Sequence, residues 1–161
     1  MIETLDFFVR FWELKARHAS IGEPLRPSEQ IELLSLMQLV THDLRVPRPG
    51  PAMRRRGALP AEIIGDGVIQ AIELRSVSAA AIIAAGASLM PEGARVVVRA
   101  TDAVRGVENV LPCTIAWIHP GSPNTIALVL DGIPTRKSFT SPPDALGRNA
   151  LAIGRQERLV G

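Results

Sequence analysis

The stretch VPRPGP, residues 46–51, divides the chain into two parts whose hydrophobic patterns have different periods. Prolines remove backbone donors and favour extended backbone, so neither a helix nor a central strand can run through this stretch. Before it, apolar residues recur every three or four positions, which is the spacing of amphipathic helices. After it, they alternate every second position, which is the spacing of strands. The chain is therefore expected to join a helical part to a β part.

Two helices are predicted before the proline-rich stretch. The first covers residues 2–17, where apolar side chains follow the helical spacing. The second is expected to begin with Ser28 as its N-cap and with Glu29 in its first turn, where both residue types are favoured. Its apolar face extends to about Leu44. A short connection containing Gly and Pro joins the two, so we expect a helical hairpin.

Six short strands are predicted after the proline-rich stretch. Their sequences are LPAEIIG, VIQAIELRS, AAIIAA, ARVVVRA, NVLPCTIAWI and TIALVLDGI. The pair Asp66-Gly67 between the first two is a strong signal for a two-residue hairpin turn. The residues that alternation places on the inner faces include Val96, Val98, Leu111, Cys113, Ile115 and Trp117. Several short strands separated by turn signals favour an antiparallel sheet closed into a small barrel.

The stretch LRSVSAAAIIAAG, residues 74–86, fits two structures. Alanine is the best helix former, so composition alone favours a helix. A lone buried helix of seven residues between two strand-like runs is less favourable than a strand, and sheet context overrides a weak propensity. The predicted elements are a strand over 68–76, a bend at Ser76, Ser78 and Ala79, and a strand over about 80–85.

Together these patterns predict a mainly β fold, a small six-stranded antiparallel barrel preceded by an α-helical hairpin. The predicted parts are the hairpin over 1–45, a basic Pro/Arg linker over 46–57, the barrel over 58–134 and a C-terminal extension over 135–161. The extension mixes prolines, glycines and charges, and its sequence fits either disorder or a short helix.

The sequence shows no arrangement of residues typical of an enzyme or a metal site. The single cysteine, Cys113, excludes an internal disulfide and a cysteine-based metal site, and its place in a strand predicts a small buried apolar role. The histidines His18, His42 and His119 fall in three segments without ligand spacing. No serine has a partnered histidine and acid in the sequence pattern, so we predict a non-catalytic protein without a metal or a bound cofactor.

The chain begins MIETLDFFVRFWELKAR, which lacks the basic region and the cleavage site of a signal peptide. No uncharged run is long enough to span a membrane, so we expect a cytoplasmic protein. A formal charge of +2 does not by itself indicate nucleic-acid binding. Proteins that bind single-stranded nucleic acid stack bases on exposed strand aromatics, whereas Trp117 falls among core residues. We therefore do not expect a nucleic-acid partner.

The order of these segments resembles the PilZ domain family over roughly residues 54–134. The matching parts are a basic run before the first strand in RRRGALPAEI, a hairpin, LRSVSAAAI, LMPEGARVVVRA, CTIAWI and IALVLDGIP. The resemblance implies a six-stranded barrel of bacterial signalling proteins that typically receives cyclic di-GMP. A helical hairpin before the barrel is also similar to some members of that family.

The first ligand motif of the family is Arg-x-x-x-Arg just before the first strand, whose arginines bind phosphates and stack on guanine. Here the run is Arg54, Arg55 and Arg56, which are consecutive and do not have that spacing. Arg48 could reach in from the linker, although in another register. The run also fits a simple solvated linker end.

The second ligand motif is Asp (or Asn)-x-Ser-x-x-Gly, with which Ser76, Ser78 and Ala81 align, so that only Ser78 matches. Both serines also fit ordinary turn residues that bond nearby backbone. Each lost hydrogen bond to a charged group removes about 1.5–3 kcal/mol. Losing two or three therefore weakens binding on the order of a thousandfold. We expect weak or absent cyclic di-GMP binding and action through protein contacts. The alternative is a receptor that uses Arg54–Arg56 and Ser78 in another geometry.

The helical hairpin carries the residues predicted to contact a partner. These candidates are Phe7, Phe8, Phe11, Trp12, Leu36 and Met37. The alternative is that the aromatic residues pack onto the barrel or the second helix. Because both helices have apolar faces wider than one contact needs, we expect binding to another protein or self-association.

Overall fold

A computed structural model describes residues 1–40, 44–50 and 58–139. The elements are α1 (Ile2–His18), α2 (Pro27–Leu39), β1 (Leu59–Gly65), β2 (Val68–Val77), β3 (Ile82–Ala85), β4 (Arg95–Asp102), β5 (Val107–His119), β6 (Thr125–Leu130) and β7 (Thr135–Ser138). The predicted fold class is confirmed, because the six strands β1 to β6 form a closed antiparallel barrel that follows two helices.

The strands lie in the order β4-β1-β2-β3-β6-β5-β7, and an additional pairing of β4 with β5 closes the barrel. Strand β7 is an outer strand on β5. It lies in the region predicted as a C-terminal extension, so that prediction is corrected for Thr135–Ser138. All four of its side chains are exposed, and the segment therefore has no apolar alternation that sequence analysis could detect. The rest of the extension, from residue 140, lies outside the described residues.

Sequence periodicity predicted the barrel interior correctly. The first turn has left-handed backbone at Asp66 (φ 51°) and Gly67 (φ 73°), as a primed two-residue hairpin turn requires. The predicted inner residues are all buried, and these are Val96, Val98, Leu111, Cys113, Ile115 and Trp117. Alternation identifies these positions because successive side chains of a strand point to opposite faces of the sheet.

The second helix differs from its predicted bounds at both ends. Its N-cap is Arg26 rather than Ser28, and Pro27 occupies the first helical position, where its missing N–H matters least. It ends at Leu39, with Val40 as C-cap, so the prediction of a helix to about residue 44 is wrong. The apolar pattern continues past the last hydrogen-bonded turn, and for this reason periodicity overestimated the length.

The residues group into two compact units. The first comprises Met1–Ala100 and Asn109–Arg136, and therefore contains both helices and most of every barrel strand. Of the described residues, the second contains Thr101–Glu108 and residues 137–139. Within the second unit, the Phe139 amide donates to the Gly106 carbonyl over 2.8 Å.

Candidate functional site

The bend between β2 and β3 is organised by Ser78. Its amide donates to the Ala81 carbonyl over 2.9 Å, and its hydroxyl lies 3.2 Å from both the Ala81 carbonyl and the Ala81 amide. The hydroxyl is thus used inside the bend, as in the turn-residue interpretation. Ser76 is not in the bend as predicted, because it still pairs with Ile83 as part of β2. The bend therefore comprises residues 78–81, and one further residue pair of β2 and β3 separates Ser76 from it.

Helix α1 covers this bend through Trp12. The indole Nε1 of Trp12 donates to the Ala79 carbonyl over 2.9 Å, and the contact is buried. The two residues are 67 positions apart in the chain. Sequence analysis did not find this contact, because nothing local in either segment indicates the other. The contact holds α1 against the backbone of the bend.

A cleft of about 420 Å³ opens beside the covered bend. Its walls come from α1 and its C-cap, residues 44–46, the bend, and the end of β6 with the residues after it. The lining residues are Trp12, Lys15, Ala16, Ala19, Leu44, Val46, Ala79, Ala80, Val129, Leu130 and Gly132. Most of these side chains are apolar, and Lys15 alone among them carries a charge. The Lys15 ammonium lies 5.8 Å from the centre of the Phe11 ring. The cleft can hold a small apolar group near one positive charge, and its described lining residues include no pair of groups for acid–base catalysis.

The described part of the basic linker lies against the barrel. The indole Nε1 of Trp117 on β5 donates to the Pro47 carbonyl over 2.7 Å. Arg48, the next residue, is exposed. The other predicted nucleotide-binding arginines, Arg54, Arg55 and Arg56, lie outside the described residues. The structure therefore shows the linker in contact with β5, and the role of these three arginines in nucleotide binding stays a prediction.

The aromatic residues of α1 belong mostly to the core. Phe11 is 2% exposed and Trp12 is 5% exposed, so the prediction that they form an interaction surface is corrected. Phe7 and Phe8 are partly buried against the core, with ring centres 5.1 Å apart, and Phe8 stacks on Trp12 at 5.9 Å. The physical reason is that α1 packs on β2 and the bend, where large side chains fill the space between helix and sheet.

Helix α2 presents the larger exposed apolar surface. Of its predicted contact residues, Leu36 is partly buried against the core, whereas Met37 is 47% exposed. Ile31 and Leu34 are 66% and 62% exposed on the same side of the helix. Their spacing of three residues is typical of an apolar helical face, but the predicted contact residues do not include Ile31 or Leu34. Their helical spacing could have identified them, but the sequence does not show which side of α2 faces solvent.

A network of ion pairs joins the two helices. Arg10 donates to both carboxylate oxygens of Glu32 over 2.8 and 2.7 Å, and Arg17 donates to both of Glu29 over 2.9 and 3.1 Å. Glu29 is only 4% exposed and also accepts from the Arg26 amide over 3.0 Å. The hydrogen bonds from Arg17 and then from Arg26 lower the pKa of the Glu29 carboxyl to about 2. The paired carboxylates hold α2 in place beside α1.

The remaining reactive side chains are dispersed or inaccessible. Burial, and to a lesser degree Asp131, raises the pKa of the Cys113 thiol to about 12. His18 and His119 lie in different elements, and His42 is outside the described residues. In the described ranges, no three His, Cys, Asp or Glu side chains stand close enough to hold a metal ion. Neither α1 nor α2, which are the helices of those ranges, is long and apolar enough to cross a membrane.

Comparison with known proteins gives no assignment. No family model matches the chain, and no curated protein is detectably similar to it.

Proposed function

We propose that the protein is a non-catalytic regulatory module with a PilZ-type barrel, which acts mainly through protein contacts and has little or no affinity for cyclic di-GMP. The sequence order of the barrel segments supports the family, and the family implies a bacterial signalling role in the cytoplasm. The changed ligand motifs support the loss of the nucleotide. The exposed apolar side of α2 supports a protein partner, since contiguous apolar surface usually marks an interface.

One observation carries this proposal: polar groups of the bend after β2 already bond to other groups of the chain. Its carbonyl at Ala79 is occupied by Trp12, and its Ser78 hydroxyl is occupied by Ala81. A nucleotide that bonded to this carbonyl or to this hydroxyl would have to replace the contact already made there. Breaking a buried hydrogen bond without an equal replacement costs about 1–3 kcal/mol, which is a further loss of about tenfold to a hundredfold in affinity.

Calorimetric titration of the full chain with cyclic di-GMP tests the proposal. We expect no saturable heat at micromolar nucleotide, while a PilZ receptor with both motifs intact binds under the same conditions. Saturable micromolar binding that is lost in a Ser78→Ala variant would contradict the proposal.

A second candidate function is a cyclic di-GMP receptor with altered geometry, and the contact between Trp117 and Pro47 favours it. This contact fixes the linker on the barrel beside Arg48, so a basic side chain stands at the barrel surface. In that case the titration would show binding, and an Arg54→Ala, Arg55→Ala, Arg56→Ala variant would lose it, whereas Arg136→Ala would not. Arg136 is a suitable control because it is an arginine of β7 outside the linker.

A further inference from the structure

The outer side of α2 carries a row of apolar side chains that the rest of the described chain leaves exposed. Ile31, Leu34 and Met37 follow one another at intervals of three residues and are 66%, 62% and 47% exposed. The inward side of α2 carries Leu33 and Val40, which are both 5% exposed, and Met37 borders that side because i, i+3 and i, i+4 positions are neighbours on a helix. A helix that is apolar on both sides needs a second partner to bury its outer side.

The outer row of α2 is symmetric about Leu34. Ile31 stands three residues before Leu34 and Met37 three residues after it, and next to them stand Gln30 and Gln38. The pattern Gln-Ile-x-x-Leu-x-x-Met-Gln therefore presents the same order of side-chain types in either direction. A twofold interface uses the same patch on both copies, and here antiparallel packing about Leu34 sets an apolar side chain against an apolar side chain at each position.

The charges of α2 also fit a second copy of the same chain. Its two carboxylates, Glu29 and Glu32, pair with Arg17 and Arg10 of α1 and are turned away from the outer row. The outer row itself contains only apolar and neutral polar residues. Two copies can therefore meet without like charges opposing one another, and antiparallel helices also oppose their dipoles favourably.

We propose that the protein forms a homodimer in which the α2 helices of two copies pack antiparallel about a twofold axis at Leu34. Leu34 then meets Leu34, and Ile31 of each copy meets Met37 of the other. The nearest contacts extend about 9 Å along each helix, from the rise of 1.5 Å per residue. This inference rests on the proposed function, because it names the partner for the protein contacts proposed there.

Light scattering after size exclusion, over the micromolar range, measures the expected mass. Wild type should elute with twice the 17.3 kDa mass of the chain. Leu34→Glu should reduce the mass to that of one chain, because two carboxylates on the axis raise the dissociation constant by roughly a hundredfold or more. Leu89→Glu is the matched control, since Leu89 is 61% exposed and lies outside the helices, and this variant should stay dimeric. Circular dichroism verifies that each variant is folded.

A mixture of two variants tests the register itself. Leu34→Glu and Leu34→Lys should each be monomeric alone, whereas the equimolar mixture should recover the dimer mass, because the axis then brings opposite charges together. A monomeric wild type, a dimeric Leu34→Glu, or a mixture that stays monomeric would each overturn the inference. A wild-type monomer that does not bind cyclic di-GMP would overturn the dimer alone, and a dimer that binds the nucleotide would overturn the proposed function alone.

Discussion

The contact between Trp12 and the bend gives the sharpest prediction about stability. Trp12→Phe keeps an aromatic ring at the position but removes the indole N–H that donates to the Ala79 carbonyl. Ala79 is 7% exposed, so water has little access to the abandoned carbonyl. A buried polar group that loses its partner costs about 1–3 kcal/mol.

The other tryptophan provides a matched control. Trp117→Phe also removes an indole donor, in this case the one that bonds the Pro47 carbonyl over 2.7 Å. Both substitutions remove the same ring volume, and both tryptophans are nearly buried, at 5% and 7% exposed. Pro47 is exposed, however, and water can replace the donor at its carbonyl. We therefore expect Trp12→Phe to lower the free energy of unfolding by about 1–2 kcal/mol more than Trp117→Phe does.

Urea denaturation followed by far-ultraviolet circular dichroism measures both variants on one scale. The fluorescence of the remaining tryptophan provides a second probe in each variant, because the chain has only two. A larger truncation, Trp12→Ala, should lower the free energy of unfolding by about 3–5 kcal/mol. If Trp12→Phe were no less stable than Trp117→Phe, the hydrogen bond from Trp12 to Ala79 would not be what holds α1 on the bend.

Three further predictions concern single buried groups. The pKa of the Glu29 carboxyl is lowered to about 2 from its ordinary value near 4.5, mainly by hydrogen bonds from Arg17. The stabilising contribution of this carboxylate is therefore complete above about pH 4.5 and is lost as the pH falls toward 2. The urea midpoint should fall over that window and should fall less in Glu29→Gln; equal slopes would contradict the assignment. Cys113 is 1% exposed with a pKa raised to about 12, so a thiol reagent at pH 8 should label it only in denaturant, and rapid labelling of the folded protein would show that the site opens. Among the described residues nothing bonds either polar atom of the fully buried Asn109 side chain, so Asn109→Leu should raise the free energy of unfolding by about 1–3 kcal/mol, and a lower value in urea denaturation would contradict this.

Local sequence patterns determined the barrel strands because the relevant forces act over a few residues. Alternation fixed the inner faces of β4 and β5, and the Asp66-Gly67 pair fixed the first hairpin turn through its left-handed backbone. The same alternation puts Asn109 on the inner face of β5, so its burial also follows from the sequence. The missing bonds to its amide do not follow, since they depend on which groups surround it.

Tertiary structure decided the features on which the candidate sites depend. Both helices have apolar faces in sequence, and only their packing shows that α1 buries Phe11 and Trp12 while α2 exposes Ile31 and Leu34. The contact between Trp12 and Ala79 joins segments 67 residues apart, and no local pattern encodes such a pairing. Strand β7 is another example, because four exposed polar residues become a strand only when β5 offers its edge. The sequence by itself determined which faces are apolar, and the fold determined which of them remain exposed, because burial depends on what the rest of the chain places against each face.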